Sequence, residues 1–218
     1  MSKATEFEFY PFIQTHTFEV EPFLKRTQGY APFIASLAFS GKEQVNVVAA
    51  AGKRFPDTDL SERRLDEFSN GKWFLSDSDR VASATSGPLE RGKYLFRIEG
   101  LEGISSVEFD FHPQFLEPVN QVNLQDGDEV IKVSWVEPPG ADNYWLFAIP
   151  ANANRFIENL VPVTENLTKG HSAALKKAGL ARGTYRIAIR ANQMWRRPPF
   201  KGFISESWSL SSGEFNVP

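Results

Sequence analysis

The chain has 218 residues, of which 41% are apolar, 23% charged and 13% aromatic. This globular composition excludes wholesale disorder and allows one large domain or two of about 100 residues, and no apolar run approaches the roughly 20 residues of a membrane-spanning helix. With 24 basic and 27 acidic residues the net charge is −3, without the basic surplus of nucleic-acid-binding domains, so no nucleic-acid partner is expected.

Period-two alternation dominates the chain. Thr5 to Glu21 carries Phe7, Phe9, Phe12, Phe18 and Val20 with polar residues between. Phe33 to Phe39 and Val45 to Ala51 are the next predicted strands. Asp59-Leu60-Ser61-Glu62 begins like a capping box, and Leu65 with Phe68 adds a brief apolar stripe, which predicts a short helix. Asn70-Gly71 marks a turn, with Trp73-Phe74 opening a strand. Strands follow at Tyr94–Ile98, Val107–Phe111, Val130–Trp135 and Tyr144–Ile149. Asp126-Gly127 between two of them reads as a hairpin turn in which the glycine supplies a positive φ. Ser172 to Ala178 ends at Gly179 with lysines in its last turn, predicting a second short helix. Tyr185–Ile189 and Ile204–Leu210 complete the set. Short aromatic and β-branched runs bounded by Gly, Pro, Asn and Asp point to antiparallel sheets with one buried face.

An internal repeat divides the chain. Leu89 to Ile98 (LERGKYLFRI) aligns with Leu180 to Ile189 (LARGTYRIAI) at an offset of 91, with Leu, Arg, Gly, Tyr and Ile shared. That period is the size of one small β-sandwich. Pro113 and Pro118 punctuate the junction, giving expected domains of 1–113 and 114–218. The first holds 13 basic and 17 acidic residues, the second 11 and 10. A leucine, then Arg-Gly, then a tyrosine opening a strand matches the turn into strand F of an immunoglobulin-like sandwich. There the tyrosine hydroxyl returns to upstream backbone, and Gly92 and Gly183 would permit a positive φ.

Val133-Ser134-Trp135, the Pro138 to Asn143 loop and the Tyr144-led strand together resemble fibronectin type III domains, over about residues 118–217. The resemblance implies a two-sheet sandwich in a binding or spacer role, with no catalytic residues to carry over. Residues 1–113 lack the matching tryptophan, and Gly52 to Pro88 is irregular. The expected fold is therefore all-β: two tandem antiparallel β-sandwiches with short crossover helices.

No cysteine is present, which removes disulfides, thiolate nucleophiles and cysteine metal sites together. The absence also suits an exported bacterial protein. Met1 to Glu6 holds no apolar leader. The expectation is a periplasmic or cell-surface protein whose signal or lipidated anchor lies upstream of Met1, with a cytoplasmic location left open. His16, His112 and His171 form no close ligand pair, and neither a nucleophile elbow nor a phosphate loop occurs. No enzyme activity and no cofactor are expected. Asp57, Asp59, Asp77 and Asp79 form two Asp-x-Asp loops, weak calcium candidates set against the ordinary use of Asp in turns. Asn166-Leu167-Thr168 is a glycosylation sequon.

The richest loop is Asn192 to Phe203, which gathers Trp195, Arg196, Arg197, Phe200, Lys201 and Phe203 around Pro198-Pro199. Trp and Arg anchor protein interfaces, and prolines limit the entropy lost on binding. A protein partner held by these six residues is the expected function. The competing structural role is a lid in which Trp195 and Phe200 fold back over the end of the sandwich. The alternative function is carbohydrate binding through exposed tryptophans such as Trp145 or Trp195.

Overall fold

A computed structural model describes residues 10–35, 44–49, 62–69, 72–74, 90–100, 103–163, 169–195 and 202–218. The chain divides into two compact units. Unit 1 comprises Met1–Thr15, Gln28–Gln114 and Arg196–Ile204; unit 2 comprises His16–Thr27, Phe115–Trp195 and Ser205–Pro218. The division at Gln114/Phe115 lies one residue from the 113/114 junction, while His16–Thr27 and Arg196–Ile204 belong to the unit opposite to their place in the sequence.

Unit 1 is built on β1 (Tyr10–Val20, first half), β2 (Leu24–Ala35, second half), β3 (Gln44–Ala49), β4 (Glu62–Ser69), β5 (Lys72–Phe74), β6 (Gly92–Gly100) and β7 (Gly103–Phe111). The hydrogen-bonded order is β2-β5-β4-β3-β6-β7. Tyr94, Phe96 and Ile98 alternate inward along β6 and meet Val45 and Val47 of β3. Ile13, Tyr30 and Ile34 cover that face, and Phe111 closes it. The expected helix around Asp59–Phe68 is not formed: Glu62–Ser69 is strand β4, with Val45 opposite Leu65 and Trp73 opposite Glu67. A two-sided ladder satisfies backbone groups that an isolated two-turn helix would leave marginal.

Unit 2 is a two-layer sandwich. One sheet is β8 (Asn120–Asp126), β9 (Val130–Val136) and β12 (Ser172–Lys176), ordered β12-β9-β8. The facing sheet contains β10 (Asn143–Pro150), β11 (Val161–Pro162), β13 (Gly183–Trp195), β14 (Gly202–Leu210) and β15 (Phe215–Val217). Within it β11, β10, β13 and β14 are consecutive, and β15 pairs the start of β13. Ile131, Val133 and Trp135 point inward from β9 against Tyr144, Leu146 and Ala148 of β10 and Ile187 and Ile189 of β13. The Trp135 and Tyr144 rings lie 5.0 Å apart.

Two expectations fail here for physical reasons. Ser172–Lys176 is strand β12, not a helix: its residues pair one for one with Val130–Ser134, and Leu175 is buried while Ala174 and Lys176 are exposed. The period of two, enforced by β9, overrides the helical propensity of Ala, Leu and Lys. Gly127 is needed for space, not for a positive φ. A Cβ there would stand 2.8 Å from the Val130 carbonyl oxygen, which accepts the Gly127 N–H at 3.1 Å. The single helical piece among the described residues is a 3-10 turn at Ile157–Asn159.

Candidate interface at one end of the second unit

The β9–β10 loop and the last residues of β13 form one hydrogen-bonded end of unit 2. Pro138 is buried, and its carbonyl accepts the Ala141 N–H at 3.2 Å, closing the loop. Gly140 takes φ +90, and the Gln193 side-chain nitrogen lies 3.5 Å from where its Cβ would be. A residue with a side chain would be strained there on backbone grounds alone. Asp142 then grips β13 twice. Its N–H donates to the Asn192 carbonyl at 2.8 Å, and its Oδ2 accepts the Met194 N–H at 2.8 Å. Asn143 stands opposite Asn192, whose Nδ2 donates to the Asn143 Oδ1 at 3.2 Å and to the Arg190 carbonyl at 3.3 Å. The strand leading into the Trp195–Phe203 segment is thus held to its neighbour up to Met194.

Trp195 is the last residue of β13, and Phe203 is the second residue of β14. Arg196, Arg197, Phe200 and Lys201 lie outside the described residues, as do the side chains of Trp195 and Phe203. Asp57, Asp59, Asp77, Asp79 and the Asn166 sequon also lie outside them. Among the described residues no group of three or more His, Asp or Glu side chains is placed to hold a metal, and no helix is long and apolar enough to cross a membrane. His112 is exposed beside Asp110 at 3.2 Å, and His171 is exposed. Trp135 and Trp208 are buried and present no face to solvent; Trp145 is half-buried and stacks on Phe147 at 6.3 Å.

A polar constellation that sequence reasoning missed lies on the face of the same sheet turned away from Ile187 and Ile189. Glu206 of β14 is buried; its Oε1 lies 2.9 Å from the Nδ1 of buried His16 and accepts the Trp208 Nε1–H at 3.2 Å. Its Oε2 accepts from Arg190 Nη2. The Arg190 guanidinium also lies over the Trp208 ring, 5.6 Å from its centroid. Around it, Trp208 contacts Phe18 at 6.4 Å, Phe147 at 5.4 Å and Phe156 at 5.5 Å. The one signal in the sequence is an acid inside Ile204 to Leu210, an otherwise uncharged alternating strand.

No family model matches the chain, and no curated protein matches it. Among solved structures it is similar to a two-domain fibronectin type III segment of chicken tenascin, at 15% identity over 97% of this chain and 98% of that one, with a TM-score of 0.33. It is also similar to the FN1–FN3 domains of chicken CNTN1, at 13% identity over 86% of this chain, with a TM-score of 0.39. The chain spans 62% of that second structure. Apart from one 3-10 turn, the regular structure of the described residues is all β, and in unit 2 a three-stranded sheet faces a second sheet.

Proposed function

We propose that the protein is a non-enzymatic binding or assembly module that recognises a protein partner through the Trp195–Phe203 segment. The observation that carries this reading is the anchoring of Gln193 and Met194 against the Pro138–Asp142 loop, through Asp142 and the Asn143–Asn192 pair. A binding loop is most effective where a rigid scaffold fixes its ends and prolines limit its freedom. Trp195, Phe200 and Phe203 would supply buried contact area. Arg196, Arg197 and Lys201 would meet carboxylates on the partner. The absence of cysteine agrees with a place outside the bacterial cytoplasm, in the periplasm or at the cell surface, and an anchor upstream of Met1 would fit that setting.

The test compares wild type with Arg196→Ala/Arg197→Ala and with Trp195→Ala, each used as bait against a cell-envelope extract and melted in parallel. The reading expects the same captured protein to be lost with both variants while melting hardly moves. A large fall in melting temperature for Trp195→Ala with capture retained would make the segment a lid on the sandwich instead. Among the tryptophans whose side chains are described, the carbohydrate reading rests on Trp145, and binding to a glycan array abolished by Trp145→Ala would favour it.

A further inference from the structure

The hydrogen-bonded orders end on four strands, β11, β7, β8 and β12. Edge strands invite pairing with another chain unless something blunts them. β11 is two residues long and its second is Pro162. β8 bulges between Asn120 and Asn123, where Gln121 takes φ 52, and its Asp126 carboxylate accepts the Asn216 N–H at 3.4 Å. β7 is regular, but the charges on its exposed side are already matched, with Glu108 3.0 Å from Lys93. β12 is regular as well: Ser172–Lys176 pairs one for one with Val130–Ser134 and holds no proline. The Trp135 N–H donates to the His171 carbonyl at 3.0 Å, and the Lys177 N–H to the Glu129 carbonyl at 2.9 Å. Such bonds recur at every second residue of an antiparallel ladder. The backbone groups of Ala173 and Leu175 therefore face β9, and those of Ser172, Ala174 and Lys176 face away from it. Among the described residues no strand pairs that outer edge.

We infer that the open edge of β12 takes an extended acidic segment of a partner protein as a fourth strand. The charge of the occupant follows from the exposed face of this sheet, the one turned away from Ile131 and Val133. In its paired rows Asn123, Gln125, Ser134 and Ser172 are neutral, and the charged side chains are Lys132 and Lys176. Asp126, at the end of β8, is taken by Lys177 at 2.6 Å, and among the described residues Lys132 and Lys176 have no ion-pair partner. Ala174 stands between Lys132 and the open edge, and its methyl group is too short to screen the ammonium. Acidic side chains on an added strand, opposite Ala174 and Lys176, would meet both lysines as cross-strand neighbours. A second copy of the chain is the poorer occupant. Two β12 edges paired about Ala174 would gather both copies of Lys132 and Lys176 on one face, and like charges across strands are destabilising. Strand addition draws its affinity from main-chain bonds and its specificity from alternate side chains, and β12 offers both. The site shares no residue with the Trp195–Phe203 segment and does not depend on it.

The test is amide NMR with hydrogen exchange on the full-length chain. The probe is a capped peptide of about seven residues alternating glutamate with valine, long enough to span β12. Binding is expected to slow exchange at Ser172, Ala174 and Lys176 by about tenfold or more, while Ala173 and Leu175, already bonded to β9, change little. The same peptide with lysine in place of glutamate should not bind. Lys132→Glu/Lys176→Glu should weaken the glutamate peptide by about tenfold and admit the lysine peptide. Ala174→Pro removes an outward N–H and spares the β9 ladder, so it should abolish the protection while Ile131 and Leu175 stay slow. Should that variant fail to fold, the charge-reversed variant decides on the same readout. No protection at millimolar glutamate peptide, protection without the alternation, or equal binding of both peptides overturns the inference. Protection of the three amides that grows with protein concentration in the absence of peptide assigns the edge to a second copy, which overturns it too.

Discussion

Tyr94 and Tyr185, 91 residues apart, make the same contact in different units. The Tyr94 hydroxyl donates to the Glu90 carbonyl at 2.8 Å and the Tyr185 hydroxyl to the Ala181 carbonyl at 2.9 Å. Each tyrosine is the third residue of a strand that opens on glycine, Gly92 at φ 146 and Gly183 at φ 156. Each stands opposite a phenylalanine, Phe109 for Tyr94 and Phe215 for Tyr185. Tyr94→Phe and Tyr185→Phe should each destabilise the chain by about 1 kcal/mol, the net value of one hydrogen bond. Gly183→Ala should cost about 1–3 kcal/mol. Its Cβ would meet the Tyr185 ring only at an ordinary 3.6 Å, so the loss is backbone strain and not collision. Urea unfolding of the three variants checks both figures.

Alkaline pH should weaken the fold through Tyr94 and Tyr144. Burial pushes both phenols up to about 12, aided for Tyr94 by nearby Glu90 and for Tyr144 by Glu137. The unfolded chain releases these protons near pH 10. The folded state then holds more protons than the unfolded state, and stability falls as pH rises from about 10 to about 12, by at most ~1.4 kcal/mol per pH unit for each tyrosine. Below pH 10 the contribution is complete. Denaturation curves of Tyr94→Phe and Tyr144→Phe should show a shallower alkaline decline than wild type, and a decline of unchanged steepness would count against this origin.

Trp135 should matter far more to folding than Trp145. Trp135 is 4% exposed and packs against Tyr144 between the sheets of unit 2, while Trp145 is half-buried on the outer face. Trp135→Ala is expected to cost about 3–5 kcal/mol through the cavity it leaves. Trp145→Ala should cost well under half of that, as measured by the urea midpoint of each variant.

Asp142→Ala should loosen the root of the Trp195–Phe203 segment without disturbing the core. It removes the acceptor of the Met194 N–H, a charge-assisted bond whose loss typically costs about 1–3 kcal/mol. Exchange at the Met194 amide should speed up while that at Ile187 stays slow. Partner capture should weaken even though no residue of the segment has changed.

The all-β class and most of the strands of unit 2 are legible in the residues alone. Ile131, Val133 and Trp135 alternate with Lys132 and Ser134, and only a half-buried strand buries that pattern cleanly. The tyrosine motif is equally local: leucine, arginine, glycine and tyrosine at fixed spacing encode a turn and its closing hydrogen bond within a few residues. Short-range signals fail where a partner strand decides. Ser172–Lys176 has helical residues and no helix, because β9 offers five backbone partners in register. Leu24-Lys25-Arg26-Thr27-Gln28 opens strand β2 although it carries no apolar alternation. Its strand state comes from neighbours, with Arg26 held by Glu19 and by Glu117 from far along the chain. Glu206 is the extreme case. Beyond its place in an otherwise uncharged alternating strand, two of its three partners lie out of local range, His16 at 190 positions and Arg190 at 16. Residue pattern determined most of the strands of unit 2 and which of their faces is apolar. Only the tertiary structure decided that residues 16–27 join the sheet of unit 2, because burying a charge depends on donors that converge in space from three separate strands.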